Sequence, residues 1–243
     1  MFQKLRKSKK LLLVAMACAT FAIAGCGSDT TKNAADNGNA VTWSETFDGT
    51  KTDFAVKSSP THAVSMSQAT TEMMLQLGLE DKMAGTAFKE EEIYPPLQAA
   101  YDKVKVLSDK WPSYEVFMSV KPDFATGWPD SFSKRAIPAD KMIAQKVNIW
   151  LPESMLSTKA DLETNFNDMI KLGEIFGVKS KAEEWVAGQR KTLAAIQDKL
   201  KDLPRKRVFI YDSEDGQPFT AFEGYTTNIL KLIGADNVMS GLG

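Results

Sequence analysis

Cysteine is almost missing from this chain of 243 residues: it occurs twice, at Cys18 and Cys26, and nowhere downstream. The body therefore has no thiol for a disulfide or a thiolate metal site and must be held by packing alone. Histidine is reduced to His62, which leaves little material for a Ser/His/Asp triad or a His-rich metal cluster. Its ordinary account is an imidazole packed or solvated at the edge of a strand. An excess of one charge sign is also lacking. Thirty Lys and Arg meet 31 Asp and Glu, mixed along the chain, for a net charge of −1, so no field favours nucleic acid or an acidic polymer. There is no Gly-rich phosphate loop, since Gly234, Gly241 and Gly243 are helix-stop or terminal glycines. The acidic runs Glu90-Glu91-Glu92, Glu183-Glu184 and Asp212/Glu214/Asp215 sit where solvated charge is the default and have no catalytic spacing. These absences argue against an enzyme, a resident cofactor and a protein-ligated metal.

What is present begins at the amino terminus. Lys4, Arg6, Lys7, Lys9 and Lys10 precede an apolar run from Leu11 to Gly25, the pattern of an export leader. At about 1.5 Å per residue this run covers about 22 Å, short of a hydrocarbon core of roughly 30 Å. No other segment comes close to spanning length. The run closes in Ile23-Ala24-Gly25-Cys26, which resembles the lipobox of bacterial lipoproteins. That resemblance implies a leader over 1–25, cleavage before Cys26, a lipid on Cys26 that holds the chain to the envelope membrane, and a mature body of about 218 residues. Such a length suits one large domain or two small ones. The stretch 26–40 contains small and polar residues with no large apolar side chain, so it reads as a flexible tether.

In the body, Val41 to Lys57 alternates weakly around Asp48-Gly49 and reads as an edge hairpin. From there short apolar runs (Ala63–Met66, Met83–Ala87, Val104–Leu107, Phe124–Trp128, Val147–Leu151) alternate with helical patterns, which predicts an α/β fold with parallel strands. Ser67 suits the cap of a helix whose Ala69, Met73 and Leu77 share a face, and Gly78 its stop. Pro112 and Ser113 suit the start of a short helix that Pro122 ends near Val120. Two long helical patterns follow, Thr158–Phe176 and Lys181–Leu203. In the second, Val186, Leu193, Ile196, Leu200 and Leu203 keep helical spacing over roughly 33 Å. Periodicity alone allows this helix either to bridge two lobes or to cover one face of a sheet. Arg207–Asp212 reads as a strand, Gly216–Phe222 as a loop and Tyr225–Ile233 as a helix closed by Gly234. One strand and one helix bury too little to stand as a lobe, so this reading expects a second lobe that is incomplete at Gly243.

Open α/β sheets bind ligands at the carboxyl ends of their strands. Ser67, Phe88, Trp111 and Trp128 fall at such ends, and Phe219, Phe222 and Tyr225 lie in the last segment. Trp and Tyr offer a flat apolar body with one polar handle, suited to a bulky chelate or macrocycle, although each taken singly is more often a core residue.

The segment His62-Ala63-Val64-Ser65-Met66-Ser67-Gln68-Ala69-Thr70-Thr71-Glu72 resembles the opening strand and helix of the iron-complex and cobalamin group of ABC-transporter substrate-binding proteins, with Gln68 where that group has proline. Tyr94-Pro95-Pro96 is similar to its next loop. Ser113-Tyr114-Glu115-Val116 with Val120-Lys121-Pro122-Asp123-Phe124 is the most specific match. Arg207–Tyr211, Pro218–Ala221 and Ile233–Val238 resemble the start of the family's second lobe. The resemblance implies two Rossmann-like lobes, one over 41–158 and the other beginning at 205–243, joined by interlobe helices over 159–204. It implies a lipid-anchored receptor that performs no covalent chemistry, acts as a monomer and delivers its ligand to an ABC permease. Ser67, Phe88, Trp111, Trp128, Phe222 and Tyr225 would face the interlobe cleft. Glu115 would dock on the permease, although a carboxylate at a helix start also has a purely structural account in the helix dipole. The ligand it implies is an iron complex, siderophore or haem, with cobalamin the alternative. Lys89, Lys134 and Arg135 either meet acidic groups on a chelate or are solvated. A free transition metal fits less well, and an envelope enzyme on a related fold is the competing class.

Overall fold

The computed structural model describes residues 40–242. The expected leader, Cys26 and the tether through Asn39 lie outside the described residues. The described chain opens with β1 (Val41–Phe47) and β2 (Thr50–Val56), paired antiparallel with Phe47 opposite Thr50. Asp48 and Gly49 between them have φ of 47° and 79°, the paired left-handed backbone that a two-residue hairpin turn demands and that Asp-Gly supplies.

Strands and helices then alternate: β3 (Ala63–Ser65), α1 (Gln68–Gln76), β4 (Met83–Ala87), α2 (Gln98–Tyr101), β5 (Val106–Ser108), α3 (Tyr114–Ser119), β6 (Phe124–Thr126), α4 (Ala139–Ala144) and β7 (Asn148–Trp150). The strands form one five-stranded parallel sheet in the order β5-β4-β3-β6-β7. Both faces are buried, as parallel sheets require. Along the strands the side chains alternate between two cores. Ala63, Phe124 and Trp150 face Met74, Leu75, Phe166 and Leu172, whereas Val64, Met66, Ala125 and Ile149 face Phe117, Phe132 and Met142.

The hairpin is not an edge of this sheet; it is a separate two-stranded ribbon. Its side chains reach the outer edge of β7 instead. Trp43 Nε1 donates to the Ile149 carbonyl at 2.7 Å, and the Leu151 N–H donates to Glu45 Oε1 at 2.9 Å. One edge carbonyl of β7 and the N–H just past its end are thereby satisfied by side chains, which blocks further strand addition there.

Helix α1 starts at Ser67, as expected, with the Ser67 hydroxyl accepting from the Thr70 N–H. Its buried face is rotated from the expected one: Thr70, Thr71, Met74 and Leu75 point inward, while Ala69 and Met73 are half-buried. The reason is polar. Ser65 and Thr86, opposite each other on β3 and β4, present hydroxyls to the helix. Thr71 Oγ1 lies 2.8 Å from Ser65 Oγ and 2.6 Å from Thr86 Oγ1, and Ser65 Oγ lies 2.7 Å from Thr70 Oγ1. A buried hydroxyl without a partner is costly, so these groups select the helix rotation that satisfies them. The Lys121-Pro122-Asp123 segment is a joint at the opposite, amino-terminal end of the sheet. Lys121 has φ 51°, and the Asp123 carboxylate accepts from the Thr61 and His62 N–H groups at 2.8 and 3.0 Å, tying the start of β3 to β6. His62 itself is exposed.

After β7 come α5 (Glu153–Leu156), α6 (Leu162–Ile175) and α7 (Lys179–Leu200). Asp161 and Thr164 form a reciprocal capping box that starts α6 at Leu162, later than the expected Thr158. Helix α7 packs on α6 through Ala182 and Val186, where Gly173 permits close approach: a Cβ there would lie 2.6 Å from the Ala182 Cβ. Further along α7 the apolar stripe emerges, with Ile196 and then Leu203 exposed. The chain continues through β8 (Lys206–Val208), β9 (Ser213–Glu214), β10 (Pro218–Phe219), α8 (Tyr225–Leu232) and β11 (Ala235–Asn237). β8 and β11 pair parallel, and β9 and β10 pair antiparallel. The expected strand to Asp212 ends at Val208, because its partner β11 ends beside it; the chain from Asp212 pairs with Phe219 instead. The expected loop 216–222 accordingly carries β10.

Candidate functional site

The strand order places a switch point in the sheet. From β3 the chain proceeds outward through β4 to β5, then returns to the other side of β3 to form β6 and β7. The connections leaving the carboxyl ends of β3 and β6, Ser65–Ser67 and Thr126–Trp128, therefore run in opposite directions along the sheet, and doubly wound sheets hold ligands at such a point.

Met66 is the centre of this edge. Its N–H donates to the Thr126 carbonyl at 2.7 Å, and its own carbonyl accepts from Trp111 Nε1 at 3.1 Å and Ser131 Oγ at 3.2 Å. Gly127 makes this possible, since a Cβ there would stand 3.0 Å from both the Met66 Cβ and the Ser131 Oγ. Trp111, aimed by its indole N–H, stacks on Phe88 with ring centroids 4.6 Å apart and planes 20° from parallel. Trp128, one residue beyond Gly127, donates its indole N–H to Glu90 Oε2 at 3.3 Å. All three rings are half-buried. The stacked Phe88–Trp111 pair and Trp128 give this edge an apolar rim, suited to a flat or bulky ligand.

Of the expected site residues, the structure gathers Phe88, Trp111 and Trp128 on this rim. Ser67 lies at the same edge but is fully buried, its hydroxyl committed to the helix cap and to Thr70. Phe222 and Tyr225 are on the far segment, each 37% exposed; partial burial pushes the Tyr225 phenol upward from its ordinary pKa. No ring stacking or hydrogen bond joins them to the rim among the described residues. Arg135 pairs with Asp130 at 2.6 Å, while Lys89 and Lys134 are exposed. Sequence reasoning missed Gln68 and Glu90. The first replaces a proline of the resembling family, and that departure was the available signal; the second was hidden in an acidic run read as solvated.

Glu115 stands in the first turn of α3, behind the Ser113 cap, and is exposed. Its own backbone N–H, the Ser113 hydroxyl and the Lys141 cation hold its carboxyl below the usual range, so it presents a negative charge on the surface. Among the described residues no three His, Cys, Asp or Glu side chains converge to hold a metal ion. Shallow concavities of about 360 and 300 Å³ follow the hairpin and the amino-terminal strand ends, lined in part by Trp43, Phe54, Thr61 and Asp123. They are remote from the switch point and collect no comparable set of aromatic and polar groups.

Comparison with known proteins gives a consistent picture. The family model described as periplasmic binding protein matches residues 64–242. The chain is 95% identical to a periplasmic binding protein from Veillonella parvula of known crystal structure, covering 85% of this chain and 70% of that one with a TM-score of 0.83. It is 26% identical to an uncharacterized ABC transporter substrate-binding lipoprotein of Bacillus subtilis over 95% of this chain and 73% of that protein. It is 24% identical to a vitamin B12-binding protein of Vibrio vulnificus over 73% of this chain and 61% of that protein.

Proposed function

We propose, from the premise that this chain belongs to the periplasmic binding protein family, that it is a lipid-anchored receptor capturing a bulky metal chelate for an ABC importer. The chain is a substrate-binding protein and not an enzyme. Its ligand, in this reading, is an iron complex, either a ferric siderophore or haem. The observation that carries the proposal is the Phe88, Trp111 and Trp128 rim at the β3/β6 switch point, backed by the Met66 carbonyl. A chelated metal needs no protein ligand, only a shaped apolar surface with a few polar groups. Helix α7 carries the chain to the β8/β11 pair, so that Phe222 and Tyr225 supply the opposing wall of an interlobe cleft. Cys26 anchors the receptor, as the lipoprotein relative supports, and Glu115 offers a charge to the permease.

Cobalamin is the second reading, favoured by the Vibrio relative's stated ligand. A thermal-shift panel of ferrioxamine B, haemin and cyanocobalamin on the full chain decides between them. A ligand present at 100 times its Kd adds about 2.7 kcal/mol of stability and raises Tm by several degrees. A shift with haemin or ferrioxamine B alone supports the first reading, a shift with cyanocobalamin alone the second, and a flat panel rejects both.

A further inference from the structure

We infer that Gln68 is a positioning residue for the ligand rim: its amide holds the loop from Phe88 to Tyr94 in the shape that presents Phe88 and Glu90. The inference rests on the reading of the Phe88/Trp111/Trp128 rim as the ligand site.

Gln68 begins α1 and is half-buried. All of its amide capacity is directed at or beside one loop. Gln68 Oε1 accepts from the Glu90 and Glu91 N–H groups at 2.9 and 2.7 Å, and Gln68 Nε2 donates to the Glu92 carbonyl at 3.2 Å. The second Nε2 proton goes to Glu72 Oε1 at 2.9 Å, and that same oxygen accepts from the Tyr94 N–H at 3.1 Å. Reversing the amide would set its NH2 against two N–H donors, so the orientation is fixed by the loop itself.

The loop needs this restraint. Phe88 has φ 60°, a left-handed conformation that a bulky side chain adopts only where its surroundings over-determine it. On the one side the Phe88 ring is stacked on Trp111. On the other, the backbone two and three residues later is clamped by Gln68. Glu90 is the residue whose carboxylate receives the Trp128 indole N–H, so a single amide sets the spacing of the rim. Proline, which the resembling family has here, has no side-chain donor or acceptor and would leave Glu90 and Glu91 N–H without these bonds. This chain therefore carries a rim that is ordered before ligand arrives, and preorganisation of this kind lowers the cost of binding.

The test compares the full-length protein with Gln68→Ala and Gln68→Met, the latter keeping the length and bulk of the side chain but none of its hydrogen bonds. Site-resolved amide exchange is measured first, without ligand. In both variants the Glu90 and Glu91 amides exchange faster by about tenfold or more while the amides of β4 are unchanged, and wild-type rates in Gln68→Met would overturn the role of the amide. Affinity is then measured for whichever of ferrioxamine B, haemin and cyanocobalamin the wild type binds. It weakens by about tenfold in both variants. Unchanged exchange at Glu90 and Glu91 in Gln68→Ala overturns the clamp, and faster exchange with unaltered affinity overturns its role in binding. If the wild type binds none of the three probes, the functional reading fails and the role in binding fails with it, while the exchange rates still decide the clamp.

Discussion

Replacing Glu45 by Gln is expected to change stability in a way that depends on pH. Glu45 lies in the middle of β1 with 6% of its surface exposed, and one carboxyl oxygen accepts from the Leu151 N–H. Burial pushes its pKa up from the usual 4.5 to about 7; the Leu151 hydrogen bond opposes this, and the nearby Glu153 and Asp168 carboxylates add to it. Asp168 is itself raised by burial, although it accepts from the Glu153 and Ser154 N–H groups at 2.8 and 2.9 Å. A carboxyl group with a raised pKa keeps its proton in the folded chain while the unfolded chain releases it. Its stabilising effect is therefore complete below pH 4.5, declines as pH rises toward 7, and changes no further above that. Each pH unit in the window is worth about 1.4 kcal/mol, so the full loss is about 3 kcal/mol. Gln keeps a carbonyl oxygen for Leu151 and cannot ionise. The Glu45→Gln protein should match the wild type near pH 4.5 and exceed it by up to about 3 kcal/mol at pH 8. Urea unfolding followed by tryptophan fluorescence measures this, with Trp43, stacked on Phe54 at 5.7 Å, reporting on the hairpin. Titrating groups that do not sense the Glu45 charge cancel in the difference between the two proteins, and Glu153 and Asp168, which do, only add to the gain of the neutral variant at high pH. A difference that is constant from pH 4.5 to 8, or that turns against the variant as pH rises, would refute the argument.

Two buried threonines, Thr126 on β6 and Thr71 on α1, should respond oppositely to valine. Thr126 Oγ1 is buried with no hydrogen-bond partner among the described residues, so Thr126→Val is expected to stabilise by about 1 kcal/mol. Thr71 touches Ser65, Ser67 and Thr86, so Thr71→Val should cost about 2 kcal/mol by stranding its partners; equal losses for both in urea titrations would sink the account of the hydroxyl network. Cys26→Ser should move the protein from the membrane fraction to the soluble exported fraction, seen by immunoblot of separated fractions, and retention in the membrane would rule out the lipid as its anchor. Glu115→Ala should leave ligand affinity unchanged while cellular uptake falls by about tenfold; a matching fall in affinity would place Glu115 in binding rather than docking.

The local elements were legible in the sequence because their causes are local. The Asp48-Gly49 turn, the Ser67 and Ser113 caps and the strand–helix alternation through Trp150 depend on residues within a few positions of each other. A polar side chain read by hydropathy, however, carries no record of its partner. The pattern of α1 points to Ala69, Met73 and Leu77, whereas the structure turns Thr70 and Thr71 inward, since the hydroxyls that recruit them lie on β3 and β4. The strand through Arg207 stops at Val208, short of the Asp212 its pattern predicts, because the length of a strand is set by its neighbour, here the short β11.

For the site, the sequence determined the aromatic inventory and its placement after strands, together with a basic and then apolar amino-terminal pattern that ends in Cys26 and resembles a lipobox. Tertiary structure alone decided which of those aromatics meet. Trp111 reaches Met66 across 45 positions and Trp128 reaches Glu90 across 38, and only the return of the chain to the far side of β3 brings those segments together. The same holds for Glu45, an ordinary strand residue by sequence, whose ionisation is governed by a lid of protein contributed from more than 100 residues away. Such contacts are selected by burial and hydrogen-bond satisfaction over the whole fold, and these have no signature in local sequence pattern.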